Sequence, residues 1–183
     1  MSAGLIDGSA RSRLFAFGLN RPAVDFPPGL GRALPGTGRG AASSASLRTA
    51  RAEMGPEMAD LPDQNADGIE DVAVGMPRFA PCERGICRAN AGQVVGLGSA
   101  RGEVLWRIAF PTEGSEAGTA LARVGDLLLV GAPGALDASG RRTGGIYVFD
   151  VGGEPTPVTA FFGEQPGERY GQSIVVAGDI DLD

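Results

Sequence analysis

The sequence predicts an all-β fold, and three observations indicate it. Short stretches that alternate or run apolar recur between turn residues, and no stretch of ten residues carries a convincing helical pattern. The 183 residues include 30 Gly, whereas aromatic residues make up only 6%. This mixture favours short strands joined by tight turns over packed helices. The length suffices for one modest domain with its own core.

The predicted strands follow one another from residue 71 to residue 178. They are 71–76, 92–98, 103–109, 118–124, 126–132, 144–151, 157–162 and 171–178. Gly, Pro and Asp separate these stretches, as expected for strands joined by turns. The stretch just before them, "RAEMGPEMADLP", has no strand pattern and contains two prolines, so no strand is predicted there.

The strands belong to a sequence repeat. "EAGTALARVGD" begins at Glu116 and "ERYGQSIVVAGD" at Glu168, whereas "GQVVGLG" begins at Gly92 and "GGIYVFD" at Gly144; both offsets are 52 residues. A period near fifty residues with four strands per unit is typical of a β-propeller blade.

The sequence therefore predicts a β-propeller fragment with four-stranded antiparallel blades over residues 56–183. Residues 71–109 and 117–162 are the two predicted blades, and residues 168–183 are the predicted start of a further blade. Propellers close with about four to eight blades, so these units are expected to be part of a larger ring.

Residues 1–55 are predicted to be a disordered, low-complexity leader. They are rich in Pro, Gly, Ala and Ser and have no periodicity, so they cannot bury enough apolar surface to offset the entropy of ordering. The apolar run in "RSRLFAFGL" is too short for the core of a signal peptide, and none is recognisable. No apolar run approaches the ~18 residues of a membrane span.

Charge and composition exclude several classes of function. Residues 1–52 hold seven Arg and two Asp, which leaves nine Arg against twenty acidic residues in the main body, a balance that argues against a nucleic-acid partner. The chain has no His, so it lacks the usual general base and the commonest zinc ligand. No enzymatic activity is therefore expected.

The two cysteines, Cys82 and Cys87, lie close together in "PCERGICRANAG". Two thiols without His are too few for zinc, and a Cys nucleophile would lack its base. In a secreted protein they are expected to form a small disulfide. Free thiols are the alternative.

The stretch "DQNADGIED", residues 63–71, has the pattern of a calcium loop. Oxygen ligands recur at positions one, three and five, Gly68 at position six permits a sharp turn, and a carboxylate stands at position nine. The predicted ligands are the side chains of Asp63, Asn65, Asp67 and Asp71 and the backbone carbonyl of Ile69. Position twelve is Val74, in a strand and not a bidentate Glu, so the loop is expected on a β-hairpin and not in an EF-hand. An acidic, solvated turn is the alternative.

The same pattern begins again at the end of the sequence. "GDIDLD" supplies Asp179, Asp181 and Asp183 at positions one, three and five, and these are the further predicted Ca²⁺ ligands. In the middle repeat Asp126 leads directly into a strand. No metal is expected there.

Together these motifs resemble FG-GAP repeats, which form the β-propeller heads of integrin α subunits and of many bacterial surface and secreted proteins. The resemblance covers about residues 58–183 and rests on the acidic loop followed by "VAVGMP", on "VGAP" at 130–133, on "RYGQS" at 169–173 and on the strand "GGIYVFD". Tyr170 and Gly171 stand where the family has Phe-Gly, and Gly131, Ala132 and Pro133 match its Gly-Ala-Pro.

The resemblance implies a non-catalytic, Ca²⁺-binding module for adhesion or ligand binding outside the cell or at its surface. A protein or glycan ligand would bind through the propeller loops, and further blades would complete the ring. Two alternatives stay open: an accessory propeller of a larger secreted enzyme of phospholipase or hydrolase type, and a structural calcium-loaded scaffold with no ligand of its own.

Overall fold

The structure is a computed structural model that describes residues 34–35, 57–83 and 85–177. Every regular element in these ranges is a β-strand, so the all-β prediction is confirmed. The strands are β1 (Leu34–Pro35), β2 (Met58–Leu61), β3 (Asp71–Met76), β4 (Cys82–Glu83), β5 (Ile86–Cys87), β6 (Gln93–Leu97), β7 (Val104–Ala109), β8 (Ala120–Val124), β9 (Leu127–Ala132), β10 (Gly145–Asp150) and β11 (Thr156–Phe162).

The strands form two antiparallel sheets and one small hairpin. The first sheet has the order β1-β7-β6-β3-β2, the second has the order β11-β10-β9-β8, and β4 pairs with β5. Apart from β1, each large sheet is a four-stranded meander in which strands adjacent in space follow one another along the chain, with the β4–β5 hairpin inserted between β3 and β6.

Strand β2 corrects the prediction that no strand precedes residue 71. Ala59 and Leu61 are buried while Met58 is exposed, so the segment has the alternation of a half-buried strand. It pairs with β3, with Leu61 opposite Asp71 and Met58 opposite Val74. The first four-stranded unit therefore begins at Met58 and not at residue 71. Four residues are too few for this alternation to stand out beside the flanking prolines.

The strand predicted over residues 171–178 is not formed in the part that the structure describes. Residues 171–177 belong to no strand, and Val175 is 84% exposed. The corresponding strand of the preceding unit, β8, is hydrogen-bonded to β9. The counterpart of β9 would follow residue 177, outside the described residues, and a β-strand is defined by its pairing.

The predicted leader, residues 1–55, lies outside the described residues except for β1. Leu34 and Pro35 pair with Arg107 and Trp106 at the free edge of β7. The start of the predicted third blade is described only as far as residue 177. Asp179, Asp181 and Asp183 therefore also lie outside the described residues.

One apolar core extends across both large sheets. Phe110, which follows β7, packs on Tyr147 and Phe149 of β10, with ring centroids 5.2 and 6.2 Å apart. The fully or almost fully buried members of this core include Leu61, Val94, Trp106, Leu128, Val130 and Val151. Burial in this apolar core raises the pKa of Tyr147.

The two sheets meet at a backbone junction that recurs at the end of the second sheet. Gly92 forms a parallel bridge to Ala117, and Gly144 forms the same bridge to Tyr170. The residue before each bridge partner, Glu116 in one case and Arg169 in the other, has a positive φ of 53° and 56°. These matching details, about one repeat apart, make the sequence repeat a structural one.

Close backbone contact at each junction explains the glycine of "VGMP" and of "VGAP". A Cβ atom on Gly75 would lie 2.1 Å from the carbonyl oxygen of Gly118, and one on Gly131 would lie 2.1 Å from that of Gly171. Both distances are far below van der Waals contact. Only glycine fits at these positions while the next unit packs so closely.

Candidate metal centre

The acidic loop lies where β2 turns back into β3. Residues 62–70 connect these antiparallel strands, so the loop is carried on a β-hairpin as predicted. In the second sheet the equivalent connection, between β8 and β9, is only Gly125 and Asp126. The prediction that Asp126 leads directly into a strand is thus confirmed.

Three of the predicted ligands turn inward onto the backbone of the loop. Asp63 accepts hydrogen bonds from the N–H groups of Asp67 and Gly68, at 3.1 and 2.8 Å. Asn65 Oδ1 also accepts from the Asp67 N–H at 3.1 Å, and Asp67 Oδ1 accepts from the Ile69 N–H at 3.0 Å. Gly68 makes this curl possible because its φ is +86°. The structure therefore brings Asp63, Asn65 and Asp67 together.

Asp71 holds the loop through hydrogen bonds to backbone N–H groups. Its carboxylate is buried, and its two oxygens accept hydrogen bonds from the backbone N–H groups of Gln64, at 2.8 Å, and Ser99, at 3.1 Å. Because Ser99 lies in the β6–β7 turn, Asp71 connects that turn to the start of the loop. Ile69 has an exposed side chain, and the role of its carbonyl stays a prediction.

In this arrangement the loop carboxylates satisfy backbone donors and do not converge on one point. Within residues 57–83 and 85–177, no group of three or more Cys, Asp or Glu side chains is arranged so that it could hold a metal ion. A carboxylate oxygen that accepts one N–H retains a second lone pair. Cation binding at this loop therefore requires rearrangement of side chains that are already adjacent.

Glu103 is an acidic residue that lies beside the loop but outside it in sequence, and the local sequence pattern does not indicate it. Its Oε1 accepts a hydrogen bond from Asn65 Nδ2 at 2.8 Å, and the same nitrogen donates to Asp67 Oδ2 at 3.0 Å. Its Oε2 is buried and has no hydrogen-bond partner among the described residues. No local signal could have found it, because Glu103 is 38 residues from Asn65 and reaches the loop only through the β6–β7 pairing.

Gln64 is a second residue that the sequence pattern does not indicate. Its Nε2 donates to the carbonyl oxygens of Val151, at 2.6 Å, and Gly153, at 3.1 Å, both of which follow β10 in the second sheet. Its Oε1 accepts a hydrogen bond from Trp106 Nε1 at 2.6 Å. The acidic loop is thereby attached to β7 of its own sheet and to the neighbouring sheet.

An ion pair also joins the two sheets near the loop. Arg123 of β8 donates through Nε to Asp60 Oδ2 of β2 at 3.0 Å, and its Nη2 contacts the same oxygen. The hydrogen bond from Arg123 lowers the pKa of the Asp60 carboxyl. Both side chains retain solvent exposure, so the pair is a weak contributor to stability.

The cysteines lie in the connection that leaves the other end of β3. Cys82 and Cys87 are joined by a disulfide across the β4–β5 hairpin, so the free-thiol alternative is wrong for this structure. Ile86, near the tip of this hairpin, is 66% exposed.

No protein-family model matches the chain, and a comparison with curated proteins found no match. Across the described ranges, no helix is long and apolar enough to cross a membrane. The resemblance to FG-GAP repeats therefore rests on the sequence motifs alone.

Proposed function

We propose that this chain is a non-catalytic, Ca²⁺-binding segment of an FG-GAP-type β-propeller that serves adhesion or ligand binding outside the cell. One observation carries the proposal. Two four-stranded antiparallel units dock through a backbone junction that recurs, and the first unit carries an acidic loop where the resemblance expects calcium.

The recurrence of the junction supports the propeller. In a propeller each four-stranded blade packs on the next with the same geometry, so contacts between neighbours should repeat once per blade. Here the Gly92–Ala117 bridge recurs as the Gly144–Tyr170 bridge, and the Gly75–Gly118 contact recurs as the Gly131–Gly171 contact. The remaining blades of the ring would be the first partner of this segment.

The chemistry of the loop supports Ca²⁺ as the cofactor. Ca²⁺ takes six to eight oxygen ligands, whereas zinc prefers nitrogen and sulfur. The loop offers carboxylates and an amide, and the buried Oε2 of the neighbouring Glu103 has no hydrogen-bond partner in the part of the chain that the structure describes. Asp63, Asn65, Asp67 and Asp71 and the carbonyl of Ile69 would hold the ion. When bound, Ca²⁺ would supply the positive charge that offsets repulsion between these carboxylates.

The disulfide supports a location outside the cytosol. Structural disulfides persist in oxidising compartments and are rare where thiols are kept reduced. A chain without His also lacks the usual general base, which supports a binding role over a catalytic one. Because loops carry the ligand contacts of such folds, a protein or glycan ligand would bind through the connections between strands.

Calorimetric titration with Ca²⁺ tests the proposal. We expect one site in the described region with a dissociation constant of about 10⁻⁴–10⁻³ M, as for extracellular modules. At tenfold excess of Ca²⁺ over that constant, binding adds about 1.4 kcal/mol to the free energy of unfolding, which a melting curve detects.

Asp67→Ala and Asp126→Ala form the matched pair for this test. Asp67→Ala should abolish the calcium-dependent rise in melting temperature, because it removes a central ligand. Asp126→Ala removes an exposed carboxylate from the two-residue turn of the second sheet and should leave the rise unchanged. A wild-type protein with no such rise, or an Asp67→Ala protein that keeps it, would show that the calcium proposal is wrong.

A further inference from the structure

The Glu103 carboxylate lies where its own sheet does not supply a hydrogen-bond donor to each of its oxygens. Its Oε2 is buried without a hydrogen-bond partner among the described residues, and leaving a buried carboxylate oxygen unpaired is unfavourable. Among the described residues, the carboxylate accepts one hydrogen bond, at Oε1, from Asn65 in the acidic loop. The carboxylate therefore lies beside the loop with one of its two oxygens unpaired among the described residues.

The β6–β7 turn is shaped to hold this carboxylate. The N–H of Gly98 donates to the carbonyl oxygen of Glu103 at 2.9 Å, which fixes the backbone at the start of β7. A Cβ atom on Gly98 would lie 2.6 to 2.8 Å from the Glu103 carboxyl group. The absence of a side chain at this position thus creates the space that the carboxyl group fills beside the loop.

Asn65 lies between Glu103 and the loop carboxylate of Asp67. Its Nδ2 donates to Glu103 Oε1 and to Asp67 Oδ2, so one uncharged N–H₂ group separates two negative charges. A half-turn of the amide exchanges its nitrogen and its oxygen. The backbone N–H of Asp67 now donates to both Asn65 Oδ1 and Asp63 Oδ1. The half-turn would remove the first of these hydrogen bonds and keep the second. The amide can therefore turn its oxygen towards the space between Glu103 and Asp67 without leaving the Asp67 N–H unpaired.

We propose that Glu103 is a ligand of the Ca²⁺ ion bound by the acidic loop, supplied from outside the loop by the β6–β7 turn. This inference rests on the proposed function. It raises the number of carboxylate ligands from three to four. The added carboxylate compensates for the absence of a Glu at position twelve of the loop. It also predicts that Ca²⁺ binding connects the β2–β3 loop to the β6–β7 turn.

Calorimetry on the full chain with three proteins tests the role of Glu103. Wild type, Glu103→Gln and Glu70→Gln are titrated with Ca²⁺. Glu70 is an exposed residue of the same loop that is not among the predicted ligands, so Glu70→Gln controls for the loss of one nearby charge. We expect Glu103→Gln to weaken Ca²⁺ binding by about tenfold or more, and Glu70→Gln to weaken it by less than about threefold.

Melting curves with EDTA and with saturating Ca²⁺ separate a ligand from a structural residue. In EDTA, Glu103→Gln should melt at the same or a higher temperature than wild type, because the variant buries no unpaired carboxylate and its amide oxygen still accepts from Asn65. In Ca²⁺ the order should reverse. A residue that served only to support the loop would lower the melting temperature in both solutions.

Each result decides a different question. Wild-type binding together with a Glu103→Gln affinity within threefold of Glu70→Gln would overturn the inference and leave the proposed function standing. A Glu103→Gln protein that unfolds in EDTA would also overturn it, since the metal-free variant should be at least as stable as wild type. If wild type itself binds no Ca²⁺, the proposed function fails and the inference fails with it.

Discussion

Apart from β1, the two sheets have the same strand order, but they differ in the connection between the first two strands of the meander. In the second sheet β8 turns into β9 through Gly125 and Asp126, whereas in the first sheet β2 reaches β3 through residues 62–70. Two residues are therefore enough to close this hairpin. The additional residues of the first sheet are not needed to make the turn.

What the longer connection adds is contact with parts of the molecule that the short turn does not reach. Through Gln64 it bonds to Trp106 and to the carbonyl oxygens after β10, and through Asn65 it bonds to Glu103. Both units have the backbone junction between neighbouring units. Only the first unit has the long loop, which makes the hydrogen bonds of Gln64 and Asn65. Substitutions in the shared and the unshared parts should therefore have different consequences.

Gly75→Ala should have the largest effect, because it disturbs a junction that both units share. The added Cβ would lie 2.1 Å from the Gly118 carbonyl oxygen, so the backbones of the two units must separate. We expect a loss of about 3 kcal/mol in the free energy of unfolding, measured by urea denaturation. Gly131→Ala, at the equivalent place, should be similarly destabilising. Gly153→Ala is the control, because a Cβ atom there would meet nothing within 4 Å. If Gly75→Ala lowers the free energy of unfolding no more than this control, Gly75 and Gly118 do not approach this closely.

Gln64→Ala should have an intermediate effect, because it removes contacts that only the unit with the long loop makes. It removes two hydrogen bonds to the second sheet and leaves the Trp106 indole N–H, in a side chain only 4% exposed, without its acceptor. In EDTA we expect a loss of about 2 kcal/mol in the free energy of unfolding. Gln165→Ala, at an exposed position, is the matched control. Equal stabilities of the two variants would mean that Gln64 does not connect the sheets.

Asp60→Asn should have the smallest effect, and that effect should depend on pH. Because the hydrogen bond from Arg123 lowers the pKa of Asp60, the ion pair stabilises the folded state above the unfolded pKa of about 3.9. At pH 7 we expect a loss of under about 1 kcal/mol, since the pair is partly exposed. The difference from wild type should shrink as the pH falls below about 5 and vanish below the lowered pKa of Asp60. If the difference in the free energy of unfolding stays constant as the pH is lowered, the ion pair is not its cause.

Most of the fold could be predicted from the sequence because its signals are local. Apolar alternation between turn residues located seven strands of the two sheets, and the spacing of 52 residues identified the repeat. Strand β2 was missed because its pairing with β3, and not its own four residues, makes it a strand. Residues 171–177 have the pattern of a strand but no partner in the described residues. A single-sequence pattern reports burial and not pairing.

The candidate site could be predicted only as far as its residues are contiguous. Asp63, Asn65 and Asp67 are two residues apart, so their clustering follows from the turn at Gly68. Glu103 and Gln64 act through contacts 38 and 87 residues distant, which no local spacing encodes. The backbone bonds of Asp71 likewise depend on the β6–β7 turn.

The meander order of the strands has a consequence for the order of events during synthesis. The four-stranded part of the first sheet is complete at Ala109, and its junction needs the chain only to Gly118, so these contacts can form while the second sheet is still being made. The two hydrogen bonds from Gln64 Nε2 cannot form then, because their acceptors, Val151 and Gly153, are made after the chain has passed Gly118. On a nascent chain the acidic loop can thus bond to its own sheet first, and its attachment to the second sheet follows when that sheet emerges from the ribosome.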